Sequence, residues 1–176
     1  MVYLFLAEGF EEVEALCPLD ILRRGGVEVK TVGVTGKWVT GAHKITVEAD
    51  ILPDAVEKGA EMLIFPGGMP GSLNLDQSKE VDTILAREKD SAHLAAICAA
   101  PLVLGRRGLL QGKHAVCYPG FEDELKGYLK AEGKVVTDGN VTTAMGMGVA
   151  PAFGFALLTL LKGEEVCKAV STSAMF

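Results

Sequence analysis

The chain alternates short, almost uninterrupted apolar runs with longer segments of mixed character. VYLFLA (2–7), EMLIFPGG (61–68) and HLAAI (93–97) are runs of the first kind. Apolar residues without alternation predict strands buried on both faces. VEVKTVGV (27–34) alternates apolar and polar positions, which predicts a strand by its period of two. EGFEEVEALCPLDILRRGG is acidic where a helix dipole favours anions and ends in a Gly25-Gly26 stop, so it predicts a helix. SKEVDTILAREKDSA predicts an amphipathic helix with Val81, Ile84 and Leu85 on one side, and AAPLVLGRRG a helix directly after HLAAI.

Residues 37–52 read as a hairpin-like excursion. HAVCY predicts a strand, FEDELKGYLKAEG a helix, KVVTD and VTTAM a pair of strands, and a long apolar helix starts near Val149. Strands and helices in alternation with short connections predict an α/β fold, a mostly parallel sheet with helices on both faces. No internal repeat, low-complexity tract or linker interrupts the pattern, so residues 1–176 are expected to form a single domain.

Composition narrows the function classes. Hydrophobic residues make up 49% and charged residues 23%, enough apolar content for a proper core. The net charge is −6 and no Lys/Arg run exceeds two, so the basic stripe that nucleic acid requires is missing. The N-terminal MVYLFLAEGFEE lacks a positive n-region and is not expected to be a secretory signal. Residues 139–161 carry no charge and reach membrane-spanning length, but four glycines and a proline favour a buried helix of an α/β domain. The expectation is a soluble cytoplasmic protein with neither nucleic acid nor membrane as partner. Cys17, Cys98, Cys117 and Cys167 show no CxxC pairing and no metal-ligand spacing with the three histidines. Free thiols, no metal and no cofactor are therefore expected.

The candidate chemistry centres on AAICAAPLVLG (95–105). Cys98 directly follows a strand and precedes the helix marked by Pro101, at the strand end where open α/β sheets place their sites. Unpaired N–H groups and a helix dipole there predict a thiol pKa below its reference of about 8.5. Ala99 and Ala100 leave room above the sulfur. The alternative is a cysteine that is simply a small buried hydrophobe. Gly67 and Gly68 end another strand, where bare amides can approach an oxyanion or merely form a turn. Glu14 shares a helix flank with Cys17, Pro18 and Ile21, which would desolvate its carboxyl, raise its pKa and let it act as a neutral acid. Otherwise it decorates a helix start, as Glu11 and Glu12 do.

AEGFEEVEALCPLDILRRGGVEV, PGGMPGSLNL and AAICAAPLVLGRRGLLQGK together resemble the ThiJ/PfpI superfamily, in its branch of parkinsonism-associated deglycase-like proteins; FGFALLTLLKGEEV fits the late helix of that family. The resemblance implies a flavodoxin-like three-layer sandwich of the class I glutamine amidotransferase-like type and a homodimer with the site near its interface. It also implies Cys98 as nucleophile, Glu14 as its protonated partner, and a small anion pocket shaped by the amides of Gly67, Gly68 and Ala99. The implied activities are conversion of methylglyoxal or glyoxal to hydroxy acids without glutathione, and removal of early glycation adducts from proteins. Redox sensing through oxidation of the cysteine to sulfinate, and chaperone action, are implied as alternatives.

There are departures from the family pattern. Tyr118 stands in the pocket where close relatives have histidine, and its phenol, with a reference pKa near 10, is a poor base. GMGVAPAFGF is two residues longer than the Gly-Pro-Gly form of the family. Ala99 occupies the place of the histidine in the protease-like branch, so peptidase activity is not expected. Cys17 and Cys117 are candidate accessory thiols if they approach Cys98, and buried spectators if they do not. Cys167 is read as a spectator. His43 falls in the excursion that, by analogy, helps form the dimer and the site rim, whereas His93 and His114 open strands. The same groups serve an enzyme or a sensor, and a dimeric domain with a vestigial site is a third reading.

Overall fold

The computed structural model describes all of residues 1–176. The first apolar run forms β1 (Val2–Leu6), followed by α1 (Glu12–Arg24) and β2 (Val29–Gly33). The excursion is an antiparallel hairpin of β3 (Trp38–Thr40) and β4 (Thr46–Glu48). Next come β5 (Met62–Phe65), α2 (Gly71–Asp76), α3 (Lys79–Glu88), β6 (His93–Ile97) and the short α4 (Pro101–Gly105). β7 (His114–Ala115) pairs in parallel with β8 (Leu129–Lys130). The chain closes with β9 (Val135–Asp138), β10 (Val141–Ala144), α5 (Ala150–Lys162) and α6 (Glu164–Ser173).

Six strands make the central sheet in the order β2-β1-β5-β6-β10-β9. Every pairing is parallel except β9 with β10. The chain steps outward from β1 to β2 and then crosses back to β5. This reversal creates a crevice at the carboxyl ends of β1 and β5, and the parallel strands follow the flavodoxin-like order.

Successive residues of β1 and β5 point to opposite faces and seed two cores. Tyr3, Phe5, Leu63 and Phe65 lie under α2, α3 and α4, with Phe5 and Phe65 stacked at 5.0 Å between centroids. Val2, Leu4, Met62 and Ile64 lie under α1, α5 and α6. The result is the expected three-layer sandwich. Helices α1 and α5 approach closely because Gly154 has no side chain: a Cβ there would come 2.9 Å from Ile21 Cδ1 and 3.0 Å from Pro18 Cα. No helix is long and apolar enough to cross a membrane.

Two expectations need correction. FEDELKGYLKAEG is not an α-helix; it holds a 3-10 turn at Glu122–Glu124 and then β8. Phe121, Leu125, Tyr128 and Leu129 have helical spacing, but Gly127 takes φ 71° and the backbone pairs with residues 112–115 instead, as in Gly112 N–H to Gly127 C=O at 2.8 Å. The helix of AAPLVLGRRG stops at Gly105, where the backbone of Glu124 and Leu125 packs so closely that a Cβ would collide with it. Beyond that point Arg106 and Arg107 are tied to Asp76, Asp82 and Glu124.

Candidate active site

Three strand ends converge on one edge of the sheet, and each contributes one part of the site. After β1, Glu11 caps α1: its Oε2 accepts the Glu14 amide at 2.7 Å. That cap starts the helix one turn before Glu14 and turns the Glu14 side chain inward, where the residue is only 1% exposed. After β5, the Gly67 amide donates to Glu14 Oε2 at 3.0 Å, and the Gly67 carbonyl accepts the Glu11 amide at 2.9 Å. Only glycine fits at 67, because a Cβ would press on Glu14 Oε2 and come 2.7 Å from Cys98 Cβ. Gly68 adopts φ 91°, in the region that favours glycine.

After β6, Cys98 itself adopts φ 65°. A non-glycine residue in the left-handed region costs on the order of 1–3 kcal/mol and persists only where its surroundings fix it. Here the Cys98 amide donates to the Ala144 carbonyl at 2.9 Å, and the Cys98 carbonyl accepts the Tyr118 amide at 2.8 Å. The elbow sets the thiol beside the Glu14 carboxyl, both within reach of the same Gly67 Cβ position, and near the amides of Ala99 and Gly68.

Burial dominates the electrostatics. It raises the Glu14 pKa to about 7, opposed by the adjacent Cys98 thiol, reinforced by the charge of Glu11, and opposed again by the Gly67 and Met147 backbone. Burial also pushes the Cys98 thiol up, helped by the charge and proximity of Glu14, to about 12; the Ala99 and Gly68 amides act the other way. The sequence-based expectation of a depressed thiol is therefore corrected. Helix α4 has five residues and begins three residues beyond Cys98, so its dipole is short and displaced from the sulfur. A carboxyl beside the thiol competes for the same negative charge, so the two groups titrate as a pair.

The remaining expected residues fall around this pair. Gly68 and Ala99 offer amides to the sulfur, whereas the Gly67 amide is engaged by Glu14. The Tyr118 side chain is 51% exposed at the rim. A Cβ at Gly146 would lie 3.4 Å from its ring and 3.9 Å from Glu14 Oε1, so the loop before α5 forms the facing wall. An open pocket of about 450 Å³ lies there, lined by Tyr118, Lys134, Met145, Met147 and Val149 among others.

All four cysteines are free thiols. Cys17 packs against the α1/α5 core and Cys117 lies within the opposite one, so the sheet separates them. Cys117 lines its own cavity of about 200 Å³ with Tyr128 and Lys130, and its thiol is pushed up to about 11, chiefly by burial. Cys167 is half-buried against the Phe155 carbonyl at 3.5 Å.

Sequence reasoning assigned no role to Glu12 and placed His43 at the rim only by analogy. Glu12 is 5% exposed and accepts both the His43 amide at 2.7 Å and His43 Nδ1 at 2.8 Å, tying the hairpin to the start of α1. Ligand atoms of Glu11, Glu12 and His43 lie within 4.8 Å of one another, so these residues are grouped closely enough to hold a cation. In the structure Glu11 is occupied by the Glu14 amide and Glu12 by His43. The Glu-Glu pair at a helix start was the only sequence signal for this cluster.

An elbow cysteine beside a buried carboxyl, at the carboxyl ends of the strands, sits on the sheet of a flavodoxin-like α/β protein. The chain matches the DJ-1/PfpI family over residues 1–160 and belongs to it. It is 37% identical over 173 residues to Protein DJ-1 homolog B of Arabidopsis thaliana, covering 96% of this chain and 39% of that protein, so it spans about two fifths of that relative's length. It is 30% identical over 162 residues to Glutathione-independent glyoxalase DJR-1.2 of Caenorhabditis elegans, covering 90% and 86%. The structure of oxidized Toxoplasma gondii DJ-1 superimposes with a TM-score of 0.94 at 34% identity, covering 99% of this chain and 97% of that one.

Proposed function

We propose that the protein is a cysteine-dependent, glutathione-independent glyoxalase or deglycase acting on methylglyoxal or its early adducts on proteins. The observation that carries this reading is the buried Glu14 carboxyl set beside the Cys98 elbow, where a Cβ on Gly67 would press on both side chains, with the carboxyl raised to about 7. The kinship to a glutathione-independent glyoxalase supports it. A carboxyl with a pKa near the working pH is suited to both giving and taking a proton.

The reaction follows from the pair carrying one proton between two groups. When Glu14 holds that proton, the sulfur carries the charge and adds to the aldehyde carbon of methylglyoxal. Glu14 protonates the new alkoxide, giving a hemithioacetal, and the amides of Ala99 and Gly68 stabilise the oxygen charge as it develops. The Glu14 carboxylate then removes the proton from C1 and returns it to C2, while the C1 hydroxyl proton passes to the C2 oxygen. The product is a thioester of lactate. Water cleaves it, releasing lactate and the thiol, with no net oxidation. The site works in a homodimer in the reducing cytoplasm.

The half-exposed Tyr118 favours a second reading, because its phenol is a poor substitute for an imidazole base. In that reading peroxide oxidises Cys98 to sulfinate, which a neutral Glu14 holds, and the protein senses redox state. Lactate formation from methylglyoxal by reduced protein without glutathione separates the two. Loss of activity in Cys98→Ser and weakening in Glu14→Gln are expected; an inactive, fully reduced wild type overturns the enzymatic reading for this substrate.

A further inference from the structure

Glu11, Gly67 and Glu14 form a closed ring of three hydrogen bonds. The Glu11 amide donates to the Gly67 carbonyl at 2.9 Å, the Gly67 amide to Glu14 Oε2 at 3.0 Å, and the Glu14 amide to Glu11 Oε2 at 2.7 Å. Each member fixes the next. The ring joins the start of α1 to the turn after β5, and the Glu14 carboxyl can leave Cys98 only if it opens. The Glu11 side chain is only 14% exposed, so its charge is weakly screened.

We infer that Glu11 is a positioning residue for the Cys98–Glu14 pair: its ring of hydrogen bonds fixes the carboxyl beside the sulfur, and its negative charge sets the pH at which the pair first becomes charged. The inference rests on reading Cys98 and Glu14 as the reactive pair. A second negative charge near Glu14 opposes ionisation of either member, so removing it lets the pair lose its first proton at lower pH. The repulsion that Glu11 exerts on Glu14 has this sign.

Other ionisable groups surround the pair. Cys98 faces Glu14 from the turn after β6. The hairpin brings His43, whose Nδ1 is 2.8 Å from Glu12 Oε2 and 3.9 Å from Glu11 Oε1. Tyr118 stands across from Gly146, and Lys134 lines the adjoining pocket. His43 is the one that can mask Glu11, because its pKa is raised and its charge offsets that of Glu11 when protonated.

The test is the pH profile of Cys98 alkylation by iodoacetamide, followed by mass spectrometry in wild type, Glu11→Gln and Glu11→Asp. The comparison is repeated with His43→Gln in each, which removes the titrating imidazole. Glutamine retains an acceptor for the Glu14 amide, so the cap survives while the charge is lost. The expected result is an acid-ward midpoint in Glu11→Gln, read as about threefold faster alkylation near pH 6, with Glu11→Asp close to wild type. An unchanged midpoint in Glu11→Gln, or an equal shift in Glu11→Asp, overturns the proposal. Alkylation needs no turnover. A protein that makes no lactate would sink the enzymatic reading while this profile still tests Glu11.

Discussion

The Gly67 amide reaches Glu14 Oε2 at 3.0 Å, and a Cβ on residue 67 would occupy the space that this contact needs. It would also lie 2.9 Å from the Ile97 carbonyl oxygen, which belongs to a strand and cannot move away. Gly67→Ala is therefore expected to displace the carboxyl from the sulfur. Misplacing a catalytic group by about 1 Å costs on the order of a hundredfold in turnover, and overpacking costs about 1–3 kcal/mol of stability. Lactate formation and urea unfolding of the variant measure the two effects; unimpaired turnover would show that the carboxyl need not be held there.

Glu14 makes the protein less stable as pH rises. Its pKa is about 7 in the folded chain against an ordinary 4.5, so between these values the folded state keeps a proton that the unfolded state has lost. The stabilisation is fully present below 4.5 and is lost as pH climbs through 7. Its size is about 3 kcal/mol. Glu14→Gln has no such proton, so it should gain on the wild type by about 2–3 kcal/mol between pH 5 and pH 8. Urea unfolding at both pH values checks this, and parallel behaviour of the two proteins would mean that the carboxyl titrates normally.

Tyr118→His places an imidazole at the rim, where the family resemblance implies one. The backbone role of residue 118, its amide on the Cys98 carbonyl at 2.8 Å, is independent of the side chain. Stability should change by no more than about 0.5 kcal/mol, because the side chain is half-exposed. Turnover should rise, by about tenfold, as a base near neutral pKa enters the pocket. Steady-state lactate formation decides; no gain would show that Glu14 alone carries the protons.

The hairpin is fastened through Glu12, and acid should unfasten it. Burial raises the Glu12 pKa, but hydrogen bonds from the His43 side chain and from backbone including His43 and Ile45 more than offset it, leaving a net lowering. A lowered carboxyl contributes stability that is present above its ordinary 4.5 and is lost as pH falls through the folded value. Hydrogen exchange at about pH 3 should show the amides of His43 and Ile45 losing protection before those of β1 and β5. Glu12→Gln should weaken the tether at neutral pH. Equal protection in hairpin and sheet at low pH would refute the tether.

The sheet was legible because its strands are buried on both faces, and uninterrupted apolar runs such as VYLFLA and HLAAI leave few alternatives. The convergence of Gly67 and Cys98 followed from the rule that sites gather at strand ends. The ring through Glu11 did not. Two of its bonds use backbone atoms brought together only by folding, and a glutamate at a helix start looks alike whether it caps, repels or does nothing. The Cys98 pKa escapes local reading for a related reason: the local signal is a helix start, whereas burial in the folded chain raises the thiol most, with Glu14, 84 positions earlier, adding to the rise. The helix expected in FEDELKGYLKAEG has the right apolar spacing but does not form, because Gly127 turns the chain at φ 71° and its backbone pairs with residues 112–115, a long-range partner that local spacing does not reveal.

Cys98 is the one partly buried hydrophobic residue packed against both cores of the sandwich, the one under α1, α5 and α6 and the one under α2, α3 and α4. A change at its sulfur is therefore made on a residue that both layers contact. Occupancy of a single atom becomes a property of the whole domain, readable by calorimetry as a change in the temperature at which the protein melts.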